Sequence, residues 1–190
     1  SRESGFNKKR ADGKYNGNPS LAINLKFGKW DDQIDGFTME DLEESMSGIH
    51  RALRPGGVAI VFFDLWKVSD LARIMKDLKF EGIAMIEWLK SNAVPINSRK
   101  NYLSNAREVA VVGYKAKGDV QHTTENRQGA FTYPIYAGKD RFHPTQKSLA
   151  LFEELIKAHT NPGDTVLDCF SGSATTGVAA INTGRQYIGA

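Results

Sequence analysis

Residues 164–177 read Asp-Thr-Val-Leu-Asp-Cys-Phe-Ser-Gly-Ser-Ala-Thr-Thr-Gly. This stretch predicts a short strand over 165–169, a tight turn of small residues, and a helix from about Thr175 to Thr183. Such a turn places backbone N–H groups and the Asp168 carboxylate around one crevice at the carboxyl end of a strand, which suits a polar, nucleoside-like ligand. The stretch lacks the Lys of a P-loop and the full GxGxxG fingerprint of dinucleotide sites. A turn that only ends a strand is the alternative.

Apolar periodicity on either side of this stretch predicts the fold class. Apolar residues recur at three- and four-residue spacing after Thr38 and Asp41, over 68–78 and over 149–159, and each pattern predicts one buried helical face. Strands are predicted over 58–63, 83–89, 108–114 and 187–189, the first of them central and covered on both faces. Alternation of these elements predicts an α/β protein with a doubly wound, mostly parallel sheet. Residues 1–30, 90–106 and 116–142 read as loops.

Composition limits the class of protein. The chain has 190 residues, of which 41% are hydrophobic, and this predicts a single domain over 1–190. It has no run of about 18 apolar residues and no signal-peptide core near Ser1, so we expect a cytosolic protein without a membrane partner. The single cysteine, Cys169, excludes an internal disulfide and a Cys-built zinc site, and we expect it to be a small buried hydrophobe and not a nucleophile.

The net charge of +3 is unevenly distributed along the chain. Residues 1–30 and 90–147 carry +5 and +6, whereas residues 31–89 and 148–190 carry −6 and −2. Two basic blocks that met in the fold would form a surface for a polyanion. Solvated Lys-rich loops are the alternative on charge alone.

Several motifs together carry a resemblance to a known family. Residues 142–148 (Phe-His-Pro-Thr-Gln-Lys-Ser), 161–168 and 170–176 resemble the signature of the β-class S-adenosylmethionine-dependent DNA amino-methyltransferases, in which the cofactor-binding half follows the catalytic half. Residues 27–31, 54–57, 62–67 and 105–108 fall in family order. The resemblance implies a Rossmann-like methyltransferase fold with an inserted target-recognition region. It divides the domain into a basic loop region (1–37), an α/β half (38–90), the target-recognition region (91–141) and the cofactor-binding half (142–190).

The resemblance also implies a reaction, which is methyl transfer from S-adenosylmethionine to the amino group of adenine, and with less support of cytosine, in double-stranded DNA. The target base would be flipped out of the duplex. The residues that match the family's cofactor-binding segments are His143, Thr145, Lys147, Asp168, Phe170, Gly172, Ser173, Ala174 and Thr175. Candidate contacts to DNA phosphates are Lys90, Arg99, Lys100, Arg107, Lys115 and Lys117. No metal is expected, and the oligomeric state stays open, with a dimer among the alternatives.

The sequence departs from the family pattern at three places. The catalytic tetrapeptide, Asp, Ser or Asn followed by Pro-Pro-Tyr or Pro-Pro-Phe, is absent and would by family order fall just before Ser1. Ala174 replaces the second glycine of the cofactor loop, which matters if that position needs a positive φ. The ribose-binding acid would follow Ala190. We therefore expect a domain trimmed at both ends, with no catalytic residue of its own. An inactive DNA-binding relative, or an enzyme of this fold acting on RNA or a small molecule, remains an alternative.

Three tryptophans are candidates for either packing or base stacking. Trp30, Trp66 and Trp88 are each expected to pack in the protein. Trp66 is the strongest candidate for a ligand contact because it comes just after a predicted strand, where ligands bind in such sheets.

Overall fold

Ten helices and strands follow one another through residues 38–93, 106–120, 128–136 and 146–190, the part of the chain that the computed structural model describes. All of these residues except Ala93 belong to one compact unit, Thr38–Asn92 with Ala106–Ala190. The elements, in chain order, are α1 (Met39–Ala52), β1 (Val58–Phe63), α2 (Val68–Asp77), β2 (Phe80–Lys90), β3 (Arg107–Lys115), β4 (Ala130–Tyr133), α3 (Leu149–His159), β5 (Thr165–Asp168), α4 (Thr175–Asn182) and β6 (Gln186–Gly189). The predicted α/β class is confirmed.

Helix α1 begins where the sequence predicts. The Thr38 hydroxyl accepts the Asp41 backbone N–H at 3.2 Å, while the Asp41 carboxylate accepts the Thr38 N–H at 2.7 Å, which is a complete capping box. Leu42 and Met46 are buried one turn apart on the inner face. At the other end of α1, the Lys115 ammonium donates to the Leu53 carbonyl at 2.8 Å, where a cation also complements the helix dipole.

Four strands form one sheet in the order β1-β3-β2-β4. Strand β3 runs antiparallel between β1 and β2, and β4 runs parallel to β2. Strands β5 and β6 form a separate parallel pair. Each of the predicted strands is present, and β2 begins at Phe80, three residues before the predicted start, with an irregular register between Glu81 and Ala84.

Strand β4 is a correction to the sequence analysis, which took residues 116–142 as loop. The segment Ala130–Tyr133 is a strand that pairs with Glu87–Lys90 of β2. Its four residues are too few to show an alternating pattern, but Phe131 and Tyr133 pack against the core beside Trp88. Phe131, Thr132 and Tyr133 are residue types that favour strands, and the partial burial of the two aromatic side chains adds to that preference.

Side chains from both faces of β1 are packed, as its continuous apolar run predicts. Ile60 and Phe62 pack against a core that includes Trp88 and Leu151, and Phe62 stacks on Phe152 at 5.4 Å between ring centroids. Ala59 lies in a second core with residues of α1 and α2, and Val61 and Phe63 pack against it. None of the helices in the described ranges is long and apolar enough to cross a membrane.

Candidate functional site

A cleft of about 890 Å³ lies between the two groups of strands. Consecutive residues of β1 and of β5 line the cleft, so it runs along one edge of each strand. Side chains of α1 and α3, including Met46 and Leu155, also line it. Its walls are thus largely apolar. A cleft of this size is in the range of roughly 300 to 1,000 Å³ that holds small molecules and cofactors.

An ion pair shows which ends of β1 and β5 lie near each other. The Arg54 guanidinium, which precedes β1, lies 3.7 Å from the Asp164 carboxylate, which precedes β5. The amino ends of β1 and β5 therefore lie close together. At the carboxyl end of β1, the Lys147 ammonium lies 5.6 Å from the Phe62 ring centroid. Lys147 and the loop that follows β5 both line this cleft.

The loop after β5 is held by its own hydrogen bonds. Asp168 Oδ1 accepts the Phe170 N–H at 3.0 Å, and the Ser171 carbonyl accepts the Ala174 N–H at 2.7 Å. Asp168 does not cap α4, whose first turn receives no side-chain cap. The carboxylate instead shapes the loop and lines the cleft, with Oδ2 making no hydrogen bond to any described residue. Such an oxygen is suited to a cationic or hydroxyl-bearing ligand.

Two residues of this loop adopt left-handed backbone conformations. Gly172 has a φ of +47° and Ala174 a φ of +54°, so the position at which alanine replaces the family's glycine does require a positive φ. For a residue with a Cβ, this conformation costs about 1 to 2 kcal/mol. Ala174 therefore stores strain at the start of α4.

Replacing Ala174 with glycine is expected to stabilise the protein. Relief of the left-handed strain outweighs the extra entropy of glycine in the unfolded chain, and the net gain is about 0.5 to 1 kcal/mol. Urea denaturation measures the change. Gly172→Ala is the reverse substitution at a φ of the same sign and should destabilise by a similar amount. Equal stability of Ala174→Gly and the parent chain would contradict the assignment of strain.

A cluster of three charged side chains lies beside the cleft. The Glu108 carboxylate, near the start of β3, pairs with the Lys147 ammonium through one oxygen and with the Lys90 ammonium through the other, the second at 2.9 Å. Burial on its own would raise the pKa of the Glu108 carboxyl, but Lys147 and Lys90 outweigh that effect and hold the pKa below its usual range. Glu108 is therefore ionised, and the cluster carries one net positive charge.

The structure brings most of the predicted cofactor-binding residues together. Lining the cleft are Lys147, Asp168, Phe170, Gly172, Ser173 and Thr175. Ala174 belongs to the same loop but does not line the cleft, and His143 and Thr145 lie outside the described residues. Among the described ranges, no three His, Cys, Asp or Glu side chains are grouped so as to hold a metal ion.

The four candidate phosphate contacts that the structure describes do not form one surface. Only 12% of the Lys90 side chain is exposed because it pairs with Glu108 and lies over the Trp88 ring. Lys115 is the last residue of β3, and its ammonium donates to the Leu53 carbonyl at the end of α1. Lys117 is exposed just beyond this end of β3, which pairs with the start of β1. Lys90 and Lys115 are thus each engaged within the protein, and their contact with DNA phosphates stays a prediction. Arg107 is exposed at the other end, 2.5 Å from Glu87, and Arg99 and Lys100 lie outside the described residues.

Two further side chains differ from their predicted environments. Cys169 is exposed, not buried, because it follows the last residue of β5 and faces the cleft. Trp66, just after β1, is 87% exposed, which rules out the expected packing role for its side chain. Trp88 does pack as predicted, fully buried, and its indole Nε1 donates to the Tyr133 carbonyl at 2.8 Å. Trp30 lies outside the described residues.

Glu108 is a charged residue beside this cleft to which the sequence analysis gave no role. Its position carried a signal, because it is the one acidic residue between Lys90 and Lys117 in an otherwise basic stretch. A single carboxylate among several cations is expected to pair when the fold brings them together.

Comparison with known proteins gives this cleft its context. A family model described as DNA methylase matches residues 7–190. The type II methyltransferase M2.DpnII of Streptococcus pneumoniae is 30% identical over 187 residues, which cover 88% of this chain and 68% of that protein. The DNA adenine methyltransferase YhdJ of Escherichia coli K12 is 60% identical over 47 residues, or 25% of this chain and 16% of that protein.

A solved structure shares both the fold and part of the sequence. The crystal structure of the M1.HpyAVI–SAM complex matches with a TM-score of 0.66 and 33% identity, covering 77% of this chain and 73% of that one. The α/β class, the loop that follows β5 and the matched family model agree with one another. The chain belongs to the N6/N4 DNA methyltransferase family.

Proposed function

We propose that this chain is the cofactor-binding and target-binding part of an enzyme that methylates the exocyclic amino group of adenine in double-stranded DNA, with S-adenosylmethionine as methyl donor. The observation that carries the proposal is the loop of residues 168–175, which opens onto the same cleft as Lys147. M1.HpyAVI, which shares the fold, has been solved in complex with S-adenosylmethionine.

The cleft offers groups that suit each part of this cofactor. S-adenosylmethionine carries a carboxylate and two cationic centres, the ammonium and the sulfonium. Lys147 offers a cation to the carboxylate, and Asp168 offers a carboxylate to the cationic centres. The apolar side chains of α1 and α3 offer a surface for the adenine ring, and Gly172 lets the backbone approach closely.

Chemically, the bound cofactor supplies an activated methyl group on a sulfonium. The protein then has to position the donor, exclude water and hold the target nitrogen in line, so its contribution is orientation and electrostatics. The target base is flipped in this proposal because its amino group is not accessible in line with the sulfonium inside a duplex. Trp66, exposed just after β1, and Arg107 are proposed to contact the DNA.

Adenine is favoured over cytosine by one comparison. A stretch of 47 residues is 60% identical to YhdJ, a DNA adenine methyltransferase. The cytosolic location and the target-recognition role of 91–141 belong to the same proposal. Because transfer requires the catalytic tetrapeptide, the test uses a form of the enzyme that contains it: N6-methyladenine and N4-methylcytosine are measured in one duplex that contains both bases, and only the first is expected.

Within these 190 residues no two prolines are adjacent, so the tetrapeptide that positions the target amino group in this family is not among them. We therefore expect the 190-residue chain to bind S-adenosylmethionine but to transfer little or no methyl group to DNA. Calorimetry with the cofactor measures binding, and incorporation of tritiated methyl groups into duplex DNA measures transfer. Efficient transfer would contradict the expected inactivity, and a folded chain that does not bind the cofactor would overturn the proposed function.

A further inference from the structure

Glu108 lies at the centre of a charge cluster whose purpose the proposed function leaves open. Lys90 comes from the end of β2, Glu108 from the start of β3, and Lys147 from the residue before the Ser148 cap of α3. The exposed fractions of the three side chains are 12%, 26% and 30%, so Lys90 is the most enclosed and Lys147 the most open of the three. Lys147 is also the member that lines the cleft.

The ammonium group of Lys147 is held from two directions. It donates to Glu108 Oε2 and lies 5.6 Å from the centroid of the Phe62 ring. An ammonium has three N–H donors, and the bond to Glu108 uses one of them. A lysine fixed in this way loses less side-chain entropy on binding a ligand than a free lysine does.

Removing the Glu108 charge would leave two cations facing each other. Lys90 and Lys147 would then repel, since both ammonium groups now contact the same carboxylate. Lys90 is confined by the Trp88 ring and by burial, so Lys147, the more exposed of the two, would move towards solvent and away from the cleft. The Glu108 charge is therefore what keeps Lys147 at the cleft.

We infer that Glu108 is a positioning residue, which holds the Lys147 ammonium where it can donate to the carboxylate of the cofactor's methionine part. The inference rests on the proposed function of the cleft. Glu108 does not touch the ligand itself, and its effect passes through Lys147. This assigns to β3 a part in cofactor recognition in addition to its place in the sheet.

The test uses two ligands that differ in the recognised group, S-adenosylmethionine and 5′-methylthioadenosine, which has no amino-acid carboxylate. In calorimetry with the 190-residue chain, Glu108→Gln is expected to weaken binding of S-adenosylmethionine by about tenfold and to leave binding of 5′-methylthioadenosine unchanged. Lys147→Met should give the same pattern. The double variant should bind no more weakly than Lys147→Met alone, because Glu108 acts through Lys147.

Glu87→Gln is the matched control. Glu87 pairs with Arg107 on the same two strands, but neither residue lines the cleft, so this variant should bind both ligands as the parent chain does. Equal weakening of both ligands by Glu108→Gln, or additive effects with Lys147→Met, would show a structural role and overturn the inference while the proposed function stands. Unchanged affinity for both ligands would also overturn it. If the folded parent chain binds neither ligand, the proposed function fails, and the inference fails with it.

Discussion

Replacing Asp168 with alanine is expected to weaken binding of S-adenosylmethionine by about a hundredfold, the size of loss that follows when a hydrogen bond to a charged group is removed. Two effects combine in this variant. The ligand's cationic centres lose the carboxylate that lines the cleft, and the loop loses the bond from the Phe170 N–H to Oδ1. Calorimetry on the folded chain measures the change.

Asp168→Asn separates the two effects. The asparagine oxygen can still accept the Phe170 N–H, so the loop keeps its shape while the charge is removed, and we expect a smaller loss of about tenfold. Asp70→Asn is the control for an acid-to-amide change away from the cleft, since Asp70 pairs with Arg73 on α2. A folded Asp168→Ala variant with parental affinity would exclude Asp168 from the cofactor site.

The features that were predictable from the sequence depend on short segments. The capping box of Thr38 and Asp41 involves residues three apart, and the order of strand, turn and helix in residues 164–177 requires only backbone preferences. The positive φ at Ala174 follows from the same local logic, since a family glycine often marks such a conformation. Elements with these signals appear within a few residues of where the sequence places them.

Features that depend on distant partners were not predictable. Strand β3 lies between β1 and β2 although it follows both in the chain, and a period-2 pattern contains no information about which strand pairs with which. Lys90 and Lys115 are candidate phosphate contacts in the sequence, which shows their charge but not the groups that they meet in the fold. Their partners, Glu108 and the carbonyl of Leu53, are 18 and 62 positions away along the chain. Cys169 is exposed because it follows the end of β5.

Replacing Trp88 with alanine is expected to cause the largest loss of stability. The side chain is fully buried among Ile86, Ala110, Leu151 and Leu155, and truncation of a buried tryptophan costs about 3 to 5 kcal/mol. The Tyr133 carbonyl would also lose its indole donor, which adds about 1 to 3 kcal/mol. Because domains are stable by only about 5 to 15 kcal/mol, urea denaturation should show a large decrease in the midpoint or no folded baseline at all.

Two variants keep this prediction informative even if Trp88→Ala does not fold. Trp88→Phe retains an aromatic ring in the core but loses the bond to Tyr133, so it should fold with a loss of about 1 to 3 kcal/mol. Trp66→Ala makes the same change as Trp88→Ala at a side chain that is 87% exposed, and should alter the free energy of unfolding by no more than about 0.5 kcal/mol. The Trp88 ring lies 5.6 Å from the Lys90 ammonium. Phenylalanine keeps an aromatic ring at this position, so Trp88→Phe should preserve the charge cluster and the affinity for the cofactor. Equal losses of stability for Trp66→Ala and Trp88→Ala would contradict the position of Trp88 in the core.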